Sequence, residues 1–151
     1  MTNLVEWMAI PRTIPSESPF ETIIVRPPID LSEALREELL GLRNVPGWIS
    51  AAVTRRDGLA IQHTFSKSRE ANTLCAMAAA IVGSARSTGH ELGQGPFNYS
   101  IVQYLDGLLL VMEAGPEAIL ACLFARSANL GLALLKTTQV AKRIEGRLEE
   151  M

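Results

Sequence analysis

The chain has 151 residues, enough for one domain that buries roughly 68–70% of its unfolded surface, and too few for two comfortable ones. Its 48% hydrophobic and 20% charged content is that of a globular protein, and no stretch reaches the ~18 uninterrupted apolar residues of a membrane span. Fourteen basic against 16 acidic residues leave a net charge of -2, which gives nucleic acid or anionic lipid no broad attraction.

The N-terminus, "MTNLVEWMAIPRTIP", carries Glu6 where a secretory signal would carry basic residues, and it has no sufficient apolar run, so a cytoplasmic protein is expected. Five of the eight prolines (Pro11, Pro15, Pro19, Pro27 and Pro28) fall in the first 28 residues. Residues 1–29 therefore read as a proline-rich arm. It fits a docking segment, with Trp7, Met8, Ile10 and Phe20 as anchors and one short strand in "FETIIVRPP", and equally a partly disordered leader.

Residues 30–151 read as the compact domain. Asp30 and Glu33 resemble a capping box, and Leu31, Leu35, Leu39 and Leu42 share one face of the helix that follows. Pro46 and Gly47 stop it. Ile49, Ala51 and Val53 alternate with Ser50, Ala52 and Thr54 as in a half-buried strand, and Asp57-Gly58 suits a type I′ turn into a second strand with Leu59 and Ile61.

From Ser68 to about Leu92 a long helix is expected, with Ala71, Leu74, Cys75, Ala78, Ile81, Val82 and Ala85 toward a sheet. Its other side, Thr73, Met77, Ala80, Ser84 and Ser87, carries no charge, although water would favour Lys or Glu there. That suggests close contact with a second copy of the helix; the alternative is alanine enrichment for helix propensity alone. Three strands follow in "FNYSIVQYL", "LLLVMEA" and "AILACLFA", joined by loops short enough to force antiparallel neighbours. A last helix carries Leu130, Leu134, Ala141, Ile144 and Leu148 along one stripe. The order α-β-β-α-β-β-β-α predicts an α+β sandwich with a five-stranded antiparallel sheet.

Chemistry is sparse. Cys75 and Cys122 sit in apolar runs without metal-ligand spacing and read as buried free thiols; His63 and His90 read as surface residues. "GHELGQGP" leaves a helix for a strand, the reverse of a phosphate cradle, and no serine lies in a GxSxG elbow. No catalytic constellation, cofactor or metal site is expected. Arg55 and Arg56 occupy a hairpin tip, where they could grip a partner's carboxylates, act on a bound nucleotide, or simply keep the tip solvated.

Taken together, "LRNVPGWISAAVTRRDGLAI", "LCAMAAAIVGSA", "DGLLLVMEAG" and "ANLGLALLK", in that order over about residues 30 to 148, resemble the roadblock family of dynein light chains and prokaryotic GTPase regulators. The resemblance implies a profilin-like, roadblock-type sheet with the long helix on one face and the terminal helices on the other. It further implies a homodimer formed by paired long helices and third strands, which here assigns Met77, Ala80, Ser84, Tyr99 and Ile101 to the interface. Family members scaffold or regulate Ras-like small GTPases without being enzymes themselves, or serve as light chains of larger complexes. Where one accelerates hydrolysis it repositions the GTPase's own residues, which weakens the finger reading of Arg55 and Arg56. A small-molecule sensor is the other alternative, and it would need a cavity with convergent polar groups.

Overall fold

The computed structural model describes residues 30–150. The arm 1–29, with the strand expected in "FETIIVRPP" and the anchors Trp7, Met8, Ile10 and Phe20, lies outside the described residues.

Helix α1 runs from Leu31 to Leu40 and tightens into a 3-10 turn over Gly41–Asn44. The tightened turn keeps Leu42 in line with Leu35 and Leu39, and all three are fully buried. Each such leucine contributes about 1.5–3 kcal/mol through removal from water. The expected capping box does not form. Asp30 occupies the N-cap position, yet its side chain accepts no amide hydrogen bond. Asp30, Ser32 and Glu33 are exposed, so water can serve the first-turn amides. Ser32 instead accepts from Gln62 Nε2 through its carbonyl (2.9 Å) and hydroxyl (2.8 Å), tying the helix start to the hairpin.

Strands β1 (Trp48–Arg55) and β2 (Ala60–His63) form the expected hairpin, with a different turn. Gly58 N–H donates to the Arg55 carbonyl and Arg55 N–H to the Leu59 carbonyl, and Gly58 has φ 92°. This is a three-residue loop with glycine at its left-handed position, not a type I′ pair. Asp57 stabilises it by accepting from Leu59 N–H at 3.0 Å. β1 is also not half-buried: Ser50 to Thr54 are all buried, because helices cover the sheet on both sides. Ile49 is 49% exposed, where the β1 register shifts between Trp48 and Ser50.

Helix α2 spans Ser68–Glu91, and β3 (Tyr99–Gln103), β4 (Gly107–Glu113), β5 (Ala118–Ala125) and helix α3 (Leu130–Glu149) complete the domain. All strand pairs are antiparallel, in the order β2-β1-β5-β4-β3. β1 and β5 are thus interior, and β2 and β3 are the edges.

The sheet separates two cores. On one face α1 and α3 pack through Leu35, Leu39, Val140 and Ile144 against Val53, Leu110, Leu120 and Phe124. On the other, Ala78 and Val82 of α2 meet Leu109, Val111, Ile119 and Ala121. The small α2 residues let the helix lie close to the strands. α3 is capped by Asn129, whose side chain accepts from Leu132 N–H at 2.9 Å. Its buried stripe is Ala133, Thr137, Val140, Ala141 and Ile144, not one led by Leu130. Leu130 is 42% exposed, since it occupies the first turn, just after the cap.

Candidate functional site

Among the described residues, the outward side of α2 and the edge strand β3 form the most conspicuous exposed surface. Met77 is 52% exposed, and Ala80, Ser84, Thr88 and Leu92 continue its side as the lining of a shallow, mostly apolar groove of about 710 Å³. Among the described residues, no lysine, arginine or carboxylate lines that groove. Close approach of another backbone is sterically open here, because alanine, serine and glycine replace long side chains.

At the sheet edge, Tyr99 and Ile101 are 39% and 36% exposed. Tyr104 N–H donates to the Gly107 carbonyl, so by antiparallel alternation Val102 and Ser100 also turn their backbone groups toward β4. Tyr99, Ile101 and Gln103 then present N–H and C=O groups outward. The opposite edge differs. His63 N–H is taken by Gln62 Oε1 (2.8 Å) and its carbonyl by Arg36 Nη1 (2.8 Å), and β2 has only four residues. Side chains thus occupy the His63 groups of the β2 edge, whereas no side chain among the described residues takes up the outward groups of β3, which those residues leave open to strand addition.

The five residues assigned to an interface by sequence do not form one flat patch. Val102 packs on the α2 side of the sheet, so Tyr99 and Ile101, alternating with it, point to the α1/α3 side. Met77, Ala80 and Ser84 lie above the opposite face. The exposed β3 edge is what connects the two groups.

Arg55 and Arg56 are separated as well. Arg55 pairs with Asp57 at 2.8 Å in solvent, with its side chain 57% exposed. Arg56 donates from Nε to the Pro116 carbonyl and from Nη2 to Glu113 Oε2 at 2.7 Å, and Arg86 approaches the same carboxylate oxygen at 3.3 Å. The second arginine therefore fastens the β1–β2 tip to the end of β4 and to α2, whereas the first has only a solvent-exposed local pair among the described residues.

Sequence reasoning missed a second groove, of about 810 Å³, at the start of α2, where Ile49, Phe65, Leu74, Met77, Tyr104 and Leu109 meet. Its signal was Tyr104, an aromatic residue just before a turn that emerges 51% exposed. The charged groups on its lining, Lys67, Arg69 and Glu70, all come from the start of α2.

Both cysteines are buried and free. Burial raises the Cys75 thiol pKa, opposed by a hydrogen bond with Thr54. It pushes Cys122 up to about 12, opposed by a smaller contribution from Thr137. Thr137 Oγ1 has no well-aligned partner, so this neighbouring thiol serves it only weakly. His63 Nδ1 accepts from Phe65 N–H at 3.1 Å and braces the exit from β2, while His90 is exposed near the end of α2. Among the described residues no cluster of His, Cys, Asp and Glu could hold a metal ion, and no helix is long and apolar enough to cross a membrane.

Comparison with known proteins agrees with this architecture. The chain is 33% identical over 107 residues to an uncharacterised protein of Methanocaldococcus jannaschii, spanning 71% of this chain and 93% of the relative. A Roadblock/LC7 domain from Streptomyces avermitilis superposes with a TM-score of 0.72 at 26% identity, covering 75% of this chain and 96% of the other. The gliding protein MglB of Thermus thermophilus shares the fold at a TM-score of 0.73 and 22% identity, over 86% and 98% of the two chains. The Roadblock/LC7 domain model matches residues 35–124, from the middle of α1 to the end of β5. The chain belongs to the Roadblock/LC7 domain family.

Proposed function

We propose that this chain is a non-enzymatic, homodimeric scaffold of the cytoplasm that binds a Ras-like small GTPase and influences its nucleotide cycle. The observation that carries the reading is the coincidence of an uncharged exposed α2 side with an open β3 edge. Residues 30–151 are the roadblock-like unit and residues 1–29 the appended arm.

Self-association follows from that surface. Antiparallel addition of a second β3 supplies partners to the outward groups of Tyr99, Ile101 and Gln103 and extends the sheet across both copies. On one face the two α2 helices then meet through Met77, Ala80 and Ser84; on the other, Tyr99 and Ile101 form cross-strand pairs. Family membership and the shared fold with a gliding protein support a role as a binding platform. A two-fold platform of this kind can hold a GTPase in one conformation of its switch segments, and binding one nucleotide state more tightly biases the cycle by that difference alone. Arg55, the freer of the two arginines, is the better placed for a partner's carboxylate.

The test is affinity capture on the full-length chain from the source cell's lysate, with GDP and with a non-hydrolysable GTP analogue, followed by titration of the purified pair. Preferential retention of a small GTPase in one nucleotide state is expected. Equal retention in both states would reassign the chain as a structural light-chain subunit, and retention of none would reject the GTPase reading.

A further inference from the structure

A third groove, of about 590 Å³, opens where the described chain begins. Leu31 of the first α1 turn, Ile61 of β2 and Leu148 near the end of α3 supply its apolar lining. Arg55, Arg56 and Asp57 of the hairpin tip and Glu117 of the β4–β5 turn form a rim of mixed sign. The three apolar residues are partly buried extensions of the α1/α3 core, which the described residues leave without a complete cover here.

The chain itself carries a matching segment next to this opening. Residue 30 follows directly on "PFETIIVRPPI", residues 19–29, in which Phe20, Ile23, Ile24, Val25 and Ile29 are apolar and Glu21 and Arg26 carry opposite charges. From Asp30 back to Ile23 the chain can span at most about 25 Å, and Asp30 adjoins Leu31 of the groove lining, so the groove lies within reach of these side chains. A tether of this length gives an effective concentration in the millimolar range, so a modest apolar match suffices for occupancy. Glu21 and Arg26 also have oppositely charged counterparts on the rim.

We propose that residues 20–29 dock in cis in the groove formed by Leu31, Ile61 and Leu148. The arm then acts as a cover that completes the α1/α3 core. Because Arg55 stands on the same rim, the docked arm borders the residue assigned above to partner contact. That consequence rests on the partner reading; the docking does not.

Hydrogen exchange on the full-length chain tests this. In the wild type, the amides of residues 20–26 and 29 are expected to exchange about tenfold or more slowly than in a free peptide of the same sequence, Pro27 and Pro28 having none. Ile24→Asp, in the arm, should abolish that protection and speed exchange near Leu148, with α2 and β4 unchanged. Leu148→Glu, in the groove, should release the arm in the same way. Free exchange of residues 20–29 in the wild type would overturn the proposal and leave the groove to another protein. So would protection indifferent to Leu148→Glu. Cross-linking in a mixture of isotope-labelled and unlabelled chains separates cis from exchanged arms: arm-to-groove links within single chains are expected, and mixed-mass links would overturn docking in cis. None of these failures bears on GTPase binding.

Discussion

Replacing Gly47 with alanine should be among the most damaging single-methyl changes in the domain. Gly47 ends the Val45-Pro46-Gly47 break with φ 90°, a backbone conformation that costs a side-chain-bearing residue about 1–3 kcal/mol. An added Cβ would also lie 2.8 Å from Ala128 Cβ and 3.1 Å from its Cα. Ala128 is held in place by its own N–H bond to the Ala125 carbonyl, and Ala125 N–H donates to the Gly47 carbonyl, so the contact cannot relax without disturbing the β1–β5 end. Forced overpacking of this kind costs about 1–3 kcal/mol more. The total, about 2–6 kcal/mol, is a large part of the 5–15 kcal/mol typical of a domain. Gly146→Ala is the internal control: it lies within α3 with nothing near its added Cβ, and alanine there should stabilise by about 0.5–1 kcal/mol. Urea unfolding at one fixed protein concentration should therefore move the two midpoints in opposite directions, by about 1 M or more downward for Gly47→Ala. A Gly47→Ala midpoint within about 0.5 kcal/mol of wild type would refute the argument.

Arg56→Ala should cost about 1–2 kcal/mol by urea unfolding, because it strips a partly buried Glu113 of its nearer cation and leaves the Pro116 carbonyl without its donor, whereas Arg55→Ala should cost under about 0.5 kcal/mol. Cys122 should give an alkaline signature. Its folded pKa is raised from 9.0 to about 12, so above pH 9 the unfolded chain releases a proton that the folded chain keeps. Stability is then complete below pH 9 and falls toward pH 12, by about 1 kcal/mol per pH unit for this one thiol. The fall in urea midpoint between pH 8 and pH 10 should be smaller in Cys122→Ala than in wild type, and equal falls would contradict the assignment.

Most of the fold was legible because its elements are strongly periodic. Leu35, Leu39 and Leu42 announce α1, and the run from Ala71 to Val82 announces a helix meant to lie close on a sheet. What escaped depends on tertiary neighbours. Nothing local to Ser50 and Ala52 says that α2 will cover them, and nothing local to Asp57 distinguishes a three-residue turn from a two-residue one. Leu130 matches the stripe of α3 by spacing, yet it lies beyond the layer that would bury it.

The candidate surface was legible in its chemistry and less so in its geometry. Absence of charge at Met77, Ala80 and Ser84 is a sequence property, but their separation from Tyr99 and Ile101 by the thickness of the sheet follows from strand parity and strand order together. The division of labour between Arg55 and Arg56 was likewise invisible, since it depends on Glu113, more than fifty positions away.

The measurement that bears most directly on the central claim is the solution mass of the full-length chain by light scattering, wild type beside Ala80→Glu. Ala80 is exposed and helical, so glutamate there should leave the protomer folded while placing two charges against each other in the paired state. Twice the 16.4 kDa chain mass is expected for wild type and the single chain mass for the variant. A wild type that stays at 16.4 kDa at micromolar concentration, or a variant that keeps the doubled mass, would contradict that expectation.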